Sequence, residues 1–388
     1  MDTNAGAARP FRARTVFTPE HEMFRDQVRR FVEREIVPHH RDWERAGMVP
    51  RELWRKAGAQ GLLCTMLPEE HGGAGGDFGH AAIVLEELAR VNASGVAFQL
   101  HSDIVVPYIA TYATDARKRE WLPKMASGEM IGAIAMTEPG MGSDLKAVRA
   151  TAVRDGDEWV INGSKTFISS GQNAGLVIVV CKTDPSAGRR GVSLIGVEEG
   201  TPGFTKGRNL EKIGMHAQDT SELFFADVRV PLENLIGEEN GGFRHLMHQL
   251  PQERLIIAIR CGISMETMLA QTIAYTKERQ VFGHSVFDFQ VHRFKLAQAK
   301  AEIQMFRVYL DDCIARHMQG ELSAEDAAAA KLLGTEMQNR LLDDFLQMHG
   351  GYGYMAEYDI GRAWADARVG RIYGGSSEVM REIIARTL

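Results

Sequence analysis

The hydrophobic period of this chain changes twice along its length, and that double change limits its fold more than any single motif. From about residue 18 to 128 apolar residues recur at helical spacing. Phe24, Val28, Phe31, Val32 and Ile36 share one face of a helix that Thr18-Pro19-Glu20 opens and Pro38 closes. A second helical stretch runs through residues 81–89. From about 129 to 240 the pattern shortens to β-rich runs at 175–183, 191–198 and 220–230, bounded by Gly, Pro or Asp. Within this region Asn162-Gly163 offers the positive-φ pair of a type I′ hairpin. Beyond about 241 the spacing is helical again, in long pieces at 252–277, 290–319, 323–349 and 376–385, with Gly350 and Gly351 placed to end the third. Long amphipathic helices with short joints pack as an antiparallel bundle. The expected fold is therefore mostly α with a central β domain: an N-terminal helical domain over 1–128, an antiparallel β domain over 129–240, and a C-terminal four-helix bundle over 241–388.

Composition narrows the function classes. A net charge of −6 supplies no field for nucleic acid or an anionic membrane surface, so an anionic ligand must be held by local groups. Cys64, Cys181, Cys261 and Cys313 lie far apart with no C-x-x-C pair, which argues against a disulfide framework and a zinc site. A reducing compartment fits, and a bacterial cytoplasm is expected ahead of a mitochondrial matrix. Apolar runs such as 176–181 are too short to span a bilayer. The N-terminal stretch carries arginines and Asp2 but no apolar core; it reads as a ragged start, not a secretory signal.

Several motifs fail on inspection. His71-Gly-Gly-Ala-Gly-Gly-Asp misses the dinucleotide fingerprint, because Phe78 stands where its third glycine belongs, and it reads as a turn. Gly163-Ser-Lys165-Thr lacks the Gly-Lys of a P-loop. His245 and His248 could share a helix face, but no third ligand completes a metal site.

Other segments carry a collective signal. Ala135-Met-Thr-Glu-Pro-Gly-Met-Gly-Ser-Asp144 is a loop rich in small hydroxyls and free backbone N–H groups, suited to a polar ring edge or a phosphate. Lys165-Thr-Phe-Ile-Ser-Ser-Gly171 is a strand ending in hydroxyls. With Arg279-Gln-Val-Phe-Gly283, Gln290, Gln347-Met-His-Gly-Gly351 and Ile372-Tyr-Gly-Gly-Ser-Ser-Glu378, they resemble the acyl-CoA dehydrogenase family, in order, from about Phe17 to the C-terminus. Met136-Thr-Glu-Pro-Gly, Asn162-Gly-Ser-Lys, Ala217-Gln-Asp-Thr, Gly237-Glu-Glu-Asn and Pro251-Gln-Glu-Arg254 resemble its long-chain branch most closely. Met141 departs from the small residue usual there.

The resemblance implies an FAD-dependent enzyme that removes hydrogen from the α and β carbons of acyl-CoA thioesters in fatty acid or branched acyl-CoA catabolism. It places Met136, Thr137, Phe167, Ile168 and Ser169 at the flavin ring. Arg279, Phe282, Gln290, Gln347, Gly350 and Gly351 fall at the pyrophosphate and adenine, across a subunit boundary. Ser376 and Glu378 complete the cofactor set, and Ser143 serves both cofactor and the CoA arm. A cofactor shared between subunits implies a homo-oligomer, and the resemblance implies a tetramer. Electron-transferring flavoprotein is the expected electron acceptor. No metal, nucleic acid or membrane span is implied.

The reaction also needs a carboxylate at the α carbon. Many members of the family keep it in the last loop as Tyr-Glu-Gly-Thr, where this chain has Tyr373-Gly374-Gly375-Ser376. The long-chain and isovaleryl branches resemble each other in placing it at the start of the first bundle helix, before an arginine. Glu253-Arg254 fits that place, with Pro251 at the helix start. Alone, Glu253 would read as a first-turn acid favoured by the helix dipole; the glycine at 374 reverses the choice. Arg254 is then expected to orient the carboxylate or its neighbours. The last loop, at Gly374 and Gly375, would offer the substrate a backbone N–H for the developing enolate oxygen, together with a ribityl hydroxyl of the cofactor. The helix around 94–108 is expected to border the acyl tail, with Gly95 and Ala97 leaving space. Two alternatives remain: an oxidase or monooxygenase on the same fold that uses oxygen, and a non-catalytic scaffold that lost its base at Gly374.

Overall fold

The computed structural model describes residues 11–388; residues 1–10 of the stretch read as a ragged start lie outside them. The N-terminal helices are α1 (Pro19–Phe31), α2 (His40–Ala46), α3 (Arg51–Ala59), α4 (Phe78–Arg90), α5 (Val106–Tyr112) and α6 (Asp115–Ala126). Thr18 opens α1 through a capping box with His21, and a π turn at Val32–Ile36 extends it toward Pro38. The glycine-rich run is the turn into α4, which Asp77 caps in the same way with His80. His21, Asp77 and His80 therefore cluster, with Oδ1 of Asp77 2.8 Å from Nε2 of His21. The Thr18 N–H donates to Nδ1 of His21 at 3.2 Å, so in the neutral ring Nε2 carries the proton and donates to Asp77. The cluster is an interlocked pair of helix caps.

The central strands are β1 (Gly132–Ala135), β2 (Thr151–Asp155), β3 (Glu158–Ser169), β4 (Leu176–Lys182), β5 (Val192–Glu198), β6 (Phe204–Asn209) and β7 (Thr220–Pro231). They form one sheet in the order β1-β4-β2-β3-β7-β6, with β5 on β4. The sheet is mixed and not purely antiparallel. The β2–β3 hairpin intervenes between β1 and β4, so the chain returns in the same direction and the two pair in parallel. The expected turn at Asn162-Gly163 is a bulge inside β3. There Asn162 clamps Asp227 of β7 through two 2.9 Å hydrogen bonds, and a Cβ on Gly163 would lie 2.6 Å from that of Ala150. The hairpin turns instead at Asp155-Gly156-Asp157, where Gly156 has φ +60°.

The C-terminal part comprises α7 (Gly242–Glu278), a short hairpin of β8 (Gln280–Val281) and β9 (His284–Ser285), α8 (Gln290–Met318), α9 (Ala324–His349), α10 (Asp359–Ala367) and α11 (Ser377–Ala385). Helix α7 starts ten residues before the expected 252, so Pro251 lies inside it and not at its first position. That proline leaves the carbonyl of Met247 without a helical donor. Glu253 is consequently beyond the reach of the N-terminal dipole, which fades within the first turn. Among the described residues α7 alone is long and apolar enough to cross a bilayer. It is instead the core helix of the bundle, burying Leu255, Ile259, Met265 and Leu269 against α4, α8 and α9. All four cysteines are buried and unpaired.

Candidate active site

Glu253 lies on the face of α7 that meets α5 and is only 6% exposed. Tyr108, fully buried at the heart of α5, donates its hydroxyl to Oε1 of Glu253 at 2.8 Å. Burial pushes the carboxyl up to about 7, against the Tyr108 hydrogen bond and the charge of Arg254. A carboxylate so tuned is matched to proton transfer near neutral pH. Arg254 is buried too, but among the described residues it forms no ion pair with Glu253, and its Nε has no partner. The group that orients the carboxylate is therefore Tyr108, which sequence reasoning placed only on the wall of the tail pocket.

The segment before α5 joins three parts of the molecule. It makes a π turn at Leu100–Val105, a geometry that recurs at functional sites. His101 is buried inside it: Nδ1 accepts from Gly132 N of β1 at 2.9 Å and Nε2 donates to Met125 O at 3.0 Å. Burial pulls this imidazole down to about 4, so it stays neutral. Ser102 accepts from Cys64 N at 2.9 Å, and Gln252 of α7 donates to the Asp103 carbonyl at 2.5 Å. Gly95 does not leave space for a tail. A Cβ there would lie 2.4 Å from that of Ala217, so the glycine permits the β domain to approach. Open volume lies further along, in a cavity of about 590 Å³ whose walls include Met66, Leu67, Val106, Pro107, Ala110 and Gln252.

The last loop is braced from below. Lys331 of α9, fully buried, donates to the Gly375 carbonyl at 2.6 Å, and Arg260 of α7 donates to the Tyr373 hydroxyl. Among the described residues the N–H groups of Gly374 and Gly375 donate to no carbonyl. Gly374 has φ +63° and Gly375 φ +92°, and a Cβ on Gly374 would lie 2.4 Å from Cδ1 of Ile257, one turn after Glu253. The space beside Gly374 is thus filled from α7. Gly374→Ala is expected to cost roughly 1–3 kcal/mol, chiefly through its backbone conformation, as read by urea unfolding. Gly374→Glu is not expected to rescue a chain lacking Glu253. Ser376 caps α11, and Glu378 is exposed in its first turn.

At the β domain the structure brings the end of β1 against β3. Thr166 N donates to Thr137 O at 3.0 Å, and Lys165 Nζ donates to Met136 O at 3.1 Å, Val180 O at 2.6 Å and Glu138 Oε1 at 2.8 Å. Glu138 also accepts from the N–H groups of Arg149 and Ala150 at 2.8 and 2.9 Å, so one buried ion pair ties the loop that holds Ser143 to two strands. A second register shift in β3 puts Phe167 at φ +58° with its ring 67% exposed, while Ile168 is buried and Ser169 half-buried. Met136, Thr137, Phe167 and Ser169 thus form one surface, with Ile168 turned into the core beneath it.

Arg279, Phe282, Gln290, Gln347, Gly350 and Gly351 form a second surface at the far end of α7. The guanidinium of Arg279 lies over the Tyr352 ring at 5.6 Å, and Tyr275 donates to the His349 carbonyl at 3.0 Å. Phe282, at the tip of the β8–β9 hairpin, is 94% exposed. The other five are exposed as well. Arg279 lies 26 residues after Glu253 along α7 and its C-cap, which puts this second surface about 39 Å from Glu253. His245 and His248 flank Tyr112: His245 stacks on its ring at 4.1 Å, and His248 Nδ1 lies 2.7 Å from its hydroxyl.

This geometry can be set beside known proteins. The N-terminal, middle and C-terminal domains of acyl-CoA dehydrogenase match residues 18–129, 133–228 and 240–388. The mitochondrial long-chain specific acyl-CoA dehydrogenase of Sus scrofa is 50% identical over 377 residues, covering 97% of this chain and 88% of the relative. The mitochondrial isovaleryl-CoA dehydrogenase of Pongo abelii is 34% identical over 372 residues, covering 95% and 88%. An acyl-CoA dehydrogenase from Geobacillus kaustophilus superposes with a TM-score of 0.95 at 48% identity, over 97% of this chain and 99% of that one. A glutaryl-CoA dehydrogenase from Mycobacterium smegmatis in complex with FADH2 does so with a TM-score of 0.89 at 27% identity, over 96% and 95%. With all three domains matched in order on the same architecture, the chain belongs to the acyl-CoA dehydrogenase family, whose members are FAD flavoproteins.

Proposed function

We propose that this chain catalyses α,β-dehydrogenation of long-chain or branched acyl-CoA thioesters to trans-2-enoyl-CoA, with Glu253 accepting the α proton. The observation that carries this reading is a dry, oriented carboxylate on α7, in a chain whose last loop has glycine where the family commonly keeps its base. Oε1 is engaged by Tyr108, so Oε2 is the atom that takes the proton. The unpaired N–H groups at Gly374 and Gly375 suit the thioester oxygen, where negative charge develops as the α proton leaves. Their supports, Lys331 and Arg260, hold the donors in place before charge appears. The cavity bounded by Val106, Pro107 and Ala110 suits the distal part of the acyl chain.

FAD, when bound, supplies the acceptor for the β hydride. The exposed Phe167 ring and the hydroxyl- and amide-rich edge at Met136, Thr137 and Ser169 suit a flavin ring. The open glycines Gly350 and Gly351, beside Arg279 and Gln347, suit a pyrophosphate and adenine. The second surface lies about 39 Å along α7 from the proposed base, so we read it as serving the cofactor of another subunit. That favours a homo-oligomer, read as a tetramer. An exposed apolar stripe on α8 (Val291, Phe294, Met305 and Val308, each about 60% exposed or more) offers the contact surface. Electron-transferring flavoprotein is the proposed electron acceptor.

Anaerobic titration of the purified flavoprotein with a panel of acyl-CoAs tests the reading. Flavin absorbance is expected to bleach with long or branched chains and to recover slowly in air. Rapid recovery with peroxide would make the protein an oxidase, and no bleaching with any thioester would make it a scaffold. The reduction rate is expected to climb with pH through about 7, because only the ionised Glu253 accepts a proton and burial has raised its pKa to that region.

A further inference from the structure

Tyr108 is the most enclosed polar side chain near the base. Its ring is 0% exposed, and among the described residues its hydroxyl has one hydrogen-bond partner, Oε1 of Glu253 at 2.8 Å. A phenol has one proton to donate, and across this contact it donates to a carboxylate oxygen. No other hydrogen bond reaches the Glu253 carboxylate among the described residues, so the phenol alone sets the roll of that group about its side chain. Tyr108 is itself rigidly placed. The π turn before it is pinned by Gly132 and Met125 on His101, by Cys64 on Ser102 and by Gln252 on the Asp103 carbonyl. Three separate parts of the chain thus fix the backbone from which Tyr108 projects.

We propose that Tyr108 is the positioning residue of the base: its hydroxyl holds Oε1 so that Oε2 faces the substrate's α carbon, and it favours the ionised form of the buried carboxyl. This rests on the reading of Glu253 as proton acceptor. The physical case is the asymmetry of burial. A carboxylate stripped of water and given no donor takes up a proton and is lost as a base. A charge-assisted hydrogen bond to the ionised form opposes that uptake and is stronger than a neutral one. The neighbouring Arg254 adds attraction through space but no hydrogen bond. The other ionisable groups around this part of α7 are Asp103 and Tyr112 from the side of α5, His317 of α8, which contacts Gln252, and Lys331 of α9, which contacts Gly375. None of them bonds to the Glu253 carboxylate.

The test is the pH profile of flavin reduction in the FAD-loaded oligomer, measured by anaerobic stopped flow with the most effective acyl-CoA. Removing the donor in Tyr108→Phe is expected to move the rising limb upward by about one pH unit, the equivalent of one modest hydrogen bond to a charge. The rate would then fall about tenfold below the limb and return toward that of the parent protein above it. Replacing Tyr108 with 3-fluorotyrosine, a slightly more acidic phenol of nearly the same shape, is expected to shift the limb the other way. It also keeps the proposal testable if Tyr108→Phe folds poorly. A rate lowered equally at every pH, with the limb unmoved in both variants, would reduce Tyr108 to a packing residue and overturn the proposal. Failure of the underlying reading looks different: a Glu253→Gln protein would still bleach with acyl-CoA, whatever Tyr108 does.

Discussion

Glu253→Gln is expected to leave a yellow, folded protein that binds acyl-CoA and bleaches at least about 10³-fold more slowly than the parent. General-base catalysis alone contributes about 10²–10⁴-fold, and here no second carboxylate stands in the last loop to substitute. Glutamine preserves the shape of the side chain and can still accept from Tyr108 through its carbonyl oxygen, so the packing of α5 on α7 survives. What disappears is the atom that takes the proton. Rapid-mixing absorbance under nitrogen measures the loss, and the cofactor-to-protein ratio shows that the site is otherwise intact. Turnover near that of the parent would show that the proton goes elsewhere.

The second large effect is expected away from the base, at the ion pair of Lys165 and Glu138. Both side chains are essentially out of water, at 0% and 5% exposed, and every contact of the ammonium group is internal. Lys165→Met leaves a buried carboxylate with only the N–H groups of Arg149 and Ala150 for company. Breaking one side of a buried pair costs about 3–5 kcal/mol, a large share of the roughly 5–15 kcal/mol that holds a domain folded. Because the pair anchors Met136 and the loop that follows it, weakened cofactor retention should accompany the loss of stability. Urea unfolding followed through both helical and flavin signals reads the two together. Pairing Lys165→Met with Glu138→Leu should recover part of the cost, since an apolar replacement of both members leaves no orphaned charge.

The order of helices, strands and helices was legible because its signals are local. Apolar spacing, Thr18 and Asp77 as caps, and Gly350 ending α9 each act within one turn of the chain. The proposal of Glu253 over position 374 also starts from residue identity, since glycine takes no proton. What escaped is mostly long-range. Tyr108 and Glu253 are 145 residues apart, and no periodicity links them. Lys165 read as one residue in a hydroxyl-ended strand, because a lysine gives no sign of burial until its three acceptors from two other segments are in place. The parallel pairing of β1 with β4 depends on the β2–β3 hairpin that lies between them in the chain. Asn162-Gly163 carries the chemistry of a turn, yet Gly163 is needed for close approach to Ala150; the Asp155-Gly156 pair just upstream made the turn instead. Pro251 misled in a similar way, since the favourable place for a proline at a helix start concealed a helix that begins ten residues earlier.

The short stretch from the π turn through α5 has three clients. On one side it receives the β domain at His101, on another it lines the cavity at Val106, Pro107 and Ala110, and between them it presents Tyr108 to Glu253. For evolution, or for a protein engineer, this means that substrate range and turnover are not independent traits. A substitution that reshapes the tail cavity from this helix also disturbs the residue that aims the carboxylate. Changes of chain preference should therefore be reached most easily from lining residues outside this stretch, at Met66 and Leu67.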